Sequence, residues 1–236
     1  MVGNALRIVE IYNKIDKFMD QKYPDERYIP FSRKVSALAS QEMIINEYRE
    51  ELLLLAEIRN ILVHEALDSE EPMLMPSDKL ISTFEKISSR ITQPPKALDT
   101  VAVPFSRIFS VRPGDSVLET IKKMHQNGYS HAPVLRDNRV TGVFSESSIM
   151  AYLAEGNSFD TELKIFQLQQ VLQLSKYKTE RYRFTPADSS VFDVEQIFRQ
   201  AYEKGTRVAV VFLTSDGTKN GVLEGMVTNF NAAFYK

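Results

Sequence analysis

Apolar side chains in the first ninety residues recur at steps of three and four, which is the spacing of one face of an α-helix. The first amphipathic helix is predicted to stop near Tyr23-Pro24, and the second to begin after Pro30. A third helical stretch, without Gly or Pro, covers residues 41–65, and the last helix follows an N-cap at Ser77. Four helices over residues 1–92 predict a small α-helical bundle.

The pattern changes at Gln93-Pro94-Pro95, a sequence that cannot continue a helix. Beyond it, short β-branched runs alternate with helical stretches, and one structural unit occurs twice. Both copies contain a Pro-x-Asp-Ser sequence (113–116 and 186–189), a helix that ends at a glycine (Gly128 and Gly205), a hairpin, and a Gly-x-x-Ser/Thr strand-to-helix turn (142–145 and 225–228). Each copy alone would leave one face of its sheet uncovered, so we expect the two to pack together.

Composition narrows the function classes. The chain has 236 residues, 43% of them hydrophobic, with 29 Lys+Arg against 31 Asp+Glu and no Cys. A net charge of -2 supplies no general field for nucleic acid or an anionic membrane. The lack of Cys excludes disulfides and thiolate metal sites, and three His without Cys make a metal centre improbable. No apolar run approaches the roughly 20 residues of a spanning helix, and no signal peptide is evident, so a cytoplasmic location is expected.

Residues 100–236 resemble a pair of CBS domains, the tandem called a Bateman module. The resemblance is carried by the Gly-Tyr-Ser-His-Ala-Pro-Val sequence at 128–134, the hairpin, and the Gly-Val-Phe-Ser turn at 142–145. It implies an α+β chain, in which an N-terminal α-helical bundle precedes a tandem CBS (βαββα repeat) pair. The expected boundaries are 93–158 for the first repeat, 159–180 for a connecting amphipathic helix, and 181–236 for the second repeat.

The resemblance also implies a ligand: an adenine-containing molecule such as AMP, ADP, ATP, S-adenosylmethionine or a cyclic dinucleotide, bound in clefts between the copies. The expected ligand-binding residues are Tyr129, His131, Pro133, Ser145, Ser148, Arg207, Thr228 and Asn231. Ser145 and Thr228 stand where a strand meets a helix N-terminus, and Arg207 is the expected phosphate partner. The alternative without a ligand is that Ser145 and Thr228 are ordinary N-caps and that Arg207 is a solvent-exposed charge.

Two of these positions depart from the family pattern. Ser148 and Asn231 stand three residues after Ser145 and Thr228, where the family usually has an Asp that takes both ribose hydroxyls. A hydroxyl or an amide can bond to ribose, but neither offers a charge-assisted bidentate contact. The same loss removes a repulsion, so a phosphate-rich or cyclic dinucleotide ligand would be tolerated better.

The sequence Arg59-Asn60…His64, late in the helical region, resembles the Arg-x(4–6)-His motif of the HEPN domain. That resemblance implies a metal-independent ribonuclease, in which His64 acts as general acid/base and Arg59 stabilises charge on the phosphate. Residues 1–98 carry 13 basic and 16 acidic side chains, which argues against RNA docking on this half. The structural alternative is that Arg59, Asn60 and His64 hold a helix end in place.

These expectations combine into a cytoplasmic, homodimeric regulatory protein whose CBS pair binds an adenine-containing nucleotide and signals to the helical domain. No cofactor is required, and a regulated protein partner is allowed for. Two alternatives stay open: a HEPN-type ribonuclease gated by the CBS pair, and a ligand-free structural or adaptor dimer. A non-enzymatic role is favoured, because the catalytic reading depends on one short motif.

Overall fold

The computed structural model of the chain describes residues 2–22, 28–65, 74–174 and 181–232. The chain divides into two compact units, Met1–Pro95 and Lys96–Lys236, so the division comes directly after Gln93-Pro94-Pro95. Helices make up the first unit over its described residues, and the second combines helices with β-strands. The predicted α+β class is therefore confirmed.

Amphipathic helices build the first unit. They are α1 (Val2–Lys22), α2 (Phe31–Ala39), α3 (Met43–Glu47), α4 (Arg49–Glu65) and α5 (Asp78–Thr92). The periodic apolar positions face inward, and Ile8, Ile15 and Met19 of α1 are fully buried. Ser77 caps α5, since its hydroxyl accepts a hydrogen bond from the Leu80 amide at 3.3 Å.

The helical stretch predicted over 41–65 is interrupted at Tyr48. There the backbone (φ -104°, ψ 21°) leaves the α-helical region between α3 and α4. The Tyr48 hydroxyl accepts a hydrogen bond from the Arg90 guanidinium of α5 at 2.6 Å. A contact between residues distant in sequence thus accompanies the break, and local helix propensity gives no sign of it.

The second unit contains two repeats and a short preceding segment. Its elements are α6 (Ala97–Thr100), β1 (Val103–Pro104), α7 (Val117–Asn127), β2 (His131–Arg136), β3 (Arg139–Ser145), α8 (Glu146–Ala154), β4 (Arg181–Pro186), α9 (Val191–Glu203), β5 (Val208–Thr214), β6 (Leu223–Thr228) and α10 (Asn229–Ala232). Helix, hairpin and helix follow one another in both repeats, as predicted. The first repeat has a single parallel bridge, Val111 with Val134, where the second repeat has the strand β4.

One strand crosses between the repeats. The four-stranded sheet has the order β1-β6-β5-β4, whereas β2 and β3 form a separate hairpin. β1 lies at the start of the first repeat, ahead of α7, yet it pairs antiparallel with β6 of the second repeat, with Val103 opposite Met226. The segment that enters the first repeat is thereby attached to the sheet of the second.

The two repeats also share a hydrophobic core. One buried cluster combines Leu135, Val140 and Val143 of the first hairpin with Tyr182, Val210, Phe212 and Leu223 of the second repeat. Each repeat has a further cluster of its own beneath its helices. The uncovered sheet faces inferred from the repeat pattern are therefore buried against each other.

The connecting helix predicted over 159–180 is wrong for residues 159–174, and residues 175–180 lie outside the described part. The only helical piece in 159–174 is a short 3₁₀ helix, Ile165–Leu168. Backbone pairing with the loop before α7 takes the place of an α-helix: the Ile165 amide donates to the Asp115 carbonyl at 3.0 Å, and the Phe166 amide to the Pro113 carbonyl at 2.8 Å. The apolar side chains that suggested an amphipathic helix fill the core of the first repeat instead.

Candidate functional site

A cleft of about 770 Å³ lies between the two repeats. It brings together five of the residues predicted to bind ligand: Tyr129, His131, Arg207, Thr228 and Asn231. The loop between α7 and β2 forms one side, and the residues around the start of β5 and the end of β6 form the other. Residues far apart in the sequence thus converge on one concave surface.

Two left-handed glycines shape the walls of this cleft. Gly128 ends α7 with φ 67°, and Gly205 follows α9 with φ 62°. After each glycine the next amide donates back to the helix, from Tyr129 to the Met124 carbonyl and from Thr206 to the Ala201 carbonyl. At both glycines the helix ends and the backbone turns sharply into the strand that follows.

An aromatic pair forms an apolar wall. The rings of Phe109 and Tyr129 stack with centroids 5.3 Å apart and planes 20° apart, and Tyr129 remains 42% exposed. Phe230 also lines the cleft. Flat, accessible aromatic surface of this kind suits a heterocyclic base.

The charge of the cleft favours anions. Arg107 and Arg207 both line it, and Glu146 is the acidic residue among its described lining side chains. Within the described part of the chain, neither arginine forms an ion pair with a carboxylate. Guanidinium groups that are not paired with a carboxylate are suited to a phosphate, which they can contact through two parallel hydrogen bonds.

His131 links the cleft to the second repeat. Its Nδ1 lies 2.8 Å from the Ser130 hydroxyl, and its ring meets Tyr182 edge-on with centroids 6.2 Å apart. These contacts orient the imidazole at the edge of the cleft.

The two Ser/Thr turns differ in accessibility. Thr228 donates its hydroxyl hydrogen to the Asn231 side-chain oxygen at 2.6 Å, and both residues line the cleft. Ser145 and Ser148 form a capping box at the start of α8, where the Ser148 hydroxyl accepts from the Ser145 amide at 2.8 Å, and both are buried. The structure thus places Ser145 and Ser148 outside the lining of this cleft.

Pro133 is also buried outside the cleft lining, in β2, where its carbonyl accepts a hydrogen bond from the Val111 amide at 3.0 Å. Conversely, Phe109 and Arg107 line the cleft although no sequence pattern points to either residue. They lie at the start of the first repeat, ahead of α7, and reach the cleft because β1, just before them, pairs with β6. A repeat-based alignment cannot show this pairing.

The Arg59 motif lies in the helical unit. The guanidinium of Arg59 sits over the Tyr12 ring, 5.0 Å from its centroid, and its Nη1 donates to the Asn60 side chain at 3.1 Å. Its buried Nε has no hydrogen-bond partner among the described residues. His64 belongs to α4, but its side chain lies outside the described residues. The structure therefore shows Arg59 packed against α1 and leaves its relation to His64 open.

Residues 101–155 match the family model of the CBS domain. The match begins two residues before β1 and ends just after α8, so it covers the first repeat, and the second repeat lies outside it. A search of curated proteins finds no match.

The chain is similar to several solved structures. A hemolysin-like protein containing a CBS domain, from Oenococcus oeni PSU, is 18% identical (TM-score 0.40), with 58% of this chain and 87% of that chain covered. CbpB in complex with c-di-AMP is 16% identical (TM-score 0.44), with 63% and 87% covered. CBSX2 in complex with AMP is 18% identical (TM-score 0.40), with 59% and 94% covered.

No group of three or more His, Asp or Glu side chains among the described residues is placed to hold a metal ion. None of the described helices is long and apolar enough to cross a membrane.

Proposed function

We propose that the C-terminal unit is a regulatory module that binds an adenine-containing nucleotide in the cleft between its two repeats. The observation that carries this proposal is the convergence of the Phe109–Tyr129 aromatic pair with Arg107 and Arg207 in one cavity. An aromatic wall and two guanidinium groups together suit a ligand that has a flat base and a phosphate. The match of residues 101–155 to the CBS domain supports the same class of function.

Each part of the ligand has a candidate partner. The base would lie against the exposed face of Tyr129, and the phosphate would contact Arg107 or Arg207. Thr228 and Asn231 supply hydroxyl and amide groups for the ribose, without the bidentate bond of a carboxylate. An amide does not repel phosphate, so a ligand with several phosphates or a cyclic dinucleotide fits this edge better than it would fit an aspartate.

The pairing of β1 with β6 offers a route for signalling from the cleft. Val103 of β1 lines the cleft and pairs with Met226 of β6, which lines it too, and β1 follows Pro95 in sequence by only a few residues. A ligand that favours one packing of β1 on β6 would act directly on the segment that leads to the helical unit. Such a switch requires a differential affinity of about 1–3 kcal/mol between the two packings.

Calorimetric titration of the full chain with AMP, ADP, ATP, S-adenosylmethionine and c-di-AMP tests the proposal. We expect saturable binding of at least one of these ligands. If none of them binds, the nucleotide-sensing function is rejected and the ligand-free adaptor alternative is favoured.

The HEPN-type ribonuclease is a separate hypothesis, carried only by the sequence motif. The cation–π contact of Arg59 with Tyr12 gives this arginine a role in packing α1 against α4. Comparing RNA cleavage by the wild type and His64→Ala separates the two roles. Cleavage that is negligible in both proteins rejects the enzyme, whereas cleavage that is lost only in the variant establishes it.

Three further features belong to the same proposal: homodimerisation, a cytoplasmic location and a regulated protein partner. They rest on the family resemblances of the two regions. Sedimentation of the full chain tests the first of them, since a monomer at all accessible concentrations contradicts it.

A further inference from the structure

A second cavity, of about 1000 Å³, lies at the other end of the paired repeats, beside both hairpin loops and the start of β4. Among the described residues, its lining contains five that are basic and one that is acidic: Arg136, Arg139, Arg181, Arg183, Lys219 and Asp137. The chain as a whole has a net charge of -2, so this concentration of positive charge is local. None of the residues proposed above to hold an adenine nucleotide lines this cavity.

No carboxylate in the described part of the chain is paired with these cations. Two of them donate to backbone carbonyls instead: the Arg139 Nε to Asn220 at 2.7 Å, and the Arg183 Nη1 to Tyr182 at 3.1 Å. A concave surface of one sign concentrates counter-ions, so this cavity attracts anions.

Hydrogen bonds between the repeats hold the walls of the cavity in place. Asp137 and Asn138 form the tight turn between β2 and β3, both with positive φ (51° and 58°), and this turn sets Arg136 and Arg139 at its two ends. The Asn138 carbonyl accepts a hydrogen bond from the Leu223 amide of the second repeat at 2.8 Å. Together with the Arg139–Asn220 bond, this contact joins the two hairpins before any ligand is present, which lowers the cost of ordering the site.

Part of the remaining lining is apolar, beside the polar side chains of Thr141, Gln173, Thr218 and Asn220. Val140, Leu174 and Phe184 line the cavity, and all three belong to or pack against the core shared by the repeats. A bare phosphate ion would leave this wall uncovered. A cavity of about 1000 Å³ also exceeds what a single phosphate group fills and is at the upper end of sizes typical of organic ligand sites.

We propose that this cavity is a second ligand site, which binds an organic polyphosphate of the size of a nucleoside triphosphate. The phosphates contact the arginines of both repeats and Lys219, and the organic part lies along Val140, Leu174 and Phe184. Because the cations come from both hairpins and β4, such a ligand bridges the repeats. The site is independent of adenine recognition in the first cleft.

Calorimetric titration of the full chain with inorganic tripolyphosphate and with ATP tests the site. The test variant is Arg136→Gln/Arg183→Gln. The matched control is Arg112→Gln/Arg199→Gln, which removes the same charge from exposed positions outside both cavities. Tripolyphosphate carries no base, so the result does not depend on whether the first cleft binds adenine.

We expect the wild type to bind tripolyphosphate, with an affinity that falls as salt is raised. Binding should weaken at least tenfold in the test variant and by less than about threefold in the control. Absence of tripolyphosphate binding, or an equal loss in the control, overturns the site. A loss caused by Arg107→Gln/Arg207→Gln instead would assign the anion to the first cleft and would also overturn it. The Tyr129→Ala variant should bind ATP more tightly than it binds tripolyphosphate, and equal affinities for the two would contradict a contact with the organic part of the ligand. Unchanged circular dichroism and Tm exclude misfolding of the variants.

Discussion

Tyr129 presents a partly exposed ring, stacked on Phe109, to the cleft between the repeats. If a base lies on this ring, Tyr129→Ala removes the stacking energy, which is about 1–3 kcal/mol per base. We expect the affinity for the best adenine ligand to fall roughly 5- to 150-fold, measured by calorimetry. Tyr202→Ala is the matched control, since Tyr202 is an exposed tyrosine of α9 outside the cleft. Equal affinity of the two variants would contradict stacking on Tyr129.

Lys34 is a buried cation of the helical unit. Its Nζ lies 2.5 Å from an Asp16 carboxylate oxygen and 2.6 Å from an Asp20 carboxylate oxygen, and the residue is 3% exposed. Burial by itself lowers the pKa of Lys34, but the hydrogen bonds and charges of the two aspartates outweigh it and raise the pKa above its ordinary value. The ammonium is therefore a stabilising group of the folded state at neutral pH.

Lys34→Met keeps the packing of the aliphatic stem and removes the charge. We expect a loss of about 1–3 kcal/mol in the free energy of unfolding at pH 7, measured by urea denaturation, because both aspartates lose a charged donor. Lys22→Met, which removes a more exposed pair with Glu42, should cost less than about 1 kcal/mol. Similar losses in both variants would contradict a special role for the buried lysine.

The pH dependence of this contribution follows from the raised pKa. A lysine whose pKa is higher in the folded state contributes its full stability below the unfolded value, about 10.4, and loses it as pH rises through the folded value. The stability difference between the wild type and Lys34→Met should therefore be constant near neutral pH and should shrink above about pH 10.

At the scale of elements, Gly142 and Gly225 occupy equivalent positions in the two hairpins, and each is closely approached by a segment from outside its hairpin. A Cβ on Gly142 would lie 2.7 Å from the Leu172 backbone carbonyl. On Gly225 it would lie 2.7 Å from a Leu98 side-chain methyl and 3.3 Å from the Val103 carbonyl of β1. The repeated glycine thus admits the connecting segment in one repeat and β1 in the other.

Alanine substitutions measure how much destabilisation an added Cβ causes at each of these glycines. Gly142→Ala should cost about 2–3 kcal/mol in unfolding free energy, because a backbone carbonyl cannot move alone. Gly225→Ala should cost less, about 1–2 kcal/mol, because the end of a leucine side chain can shift. Gly114→Ala is the control, since nothing lies within 4 Å of its added Cβ, and its effect should stay within about 1 kcal/mol of zero. Denaturant titration measures the series, and an effect of Gly142→Ala no larger than that of Gly114→Ala contradicts the close approach.

At the scale of the whole molecule, the proposed sensor requires that ligand binding in the second unit change the conformation or stability of the first. Hydrogen exchange of the full chain, with and without a saturating nucleotide, measures this directly. We expect slower exchange in β1 and β6, which pair beside the cleft, together with changed exchange in helices of the first unit. Protection confined to the second unit would retain ligand binding and reject signalling.

Much of the local structure could be predicted from the chain alone because its signals act over a few residues. Ser77 caps α5 and Gly128 ends α7, each at the predicted position, and the Asp137-Asn138 turn closes the first of the two predicted hairpins. The side-chain requirements of caps and turns are set by neighbouring backbone, so they are visible in the sequence. The internal repeat extended this local information to the pairing of two similar units.

Contacts between distant residues decided the rest. The segment 159–174 has a helical pattern of apolar residues, but backbone pairing with residues 113–115 makes it a cover for the first repeat. The same capping chemistry leaves Thr228 in the cleft and buries Ser145, since accessibility depends on what packs above the turn.

The sequence by itself determined most of the helices, the hairpins and the repeat, and five of the eight ligand residues it selected line the first cleft. Only the tertiary structure decided that β1 crosses to the second repeat, that this crossing brings Arg107 and Phe109 to the cleft, and that five cations gather at the opposite end. The physical reason is the same in each case. Apolar periodicity and helix capping depend on residues within one turn or one strand. The pairing of β1 with β6 and the grouping of the five cations depend instead on the free energy of packing two repeats against each other.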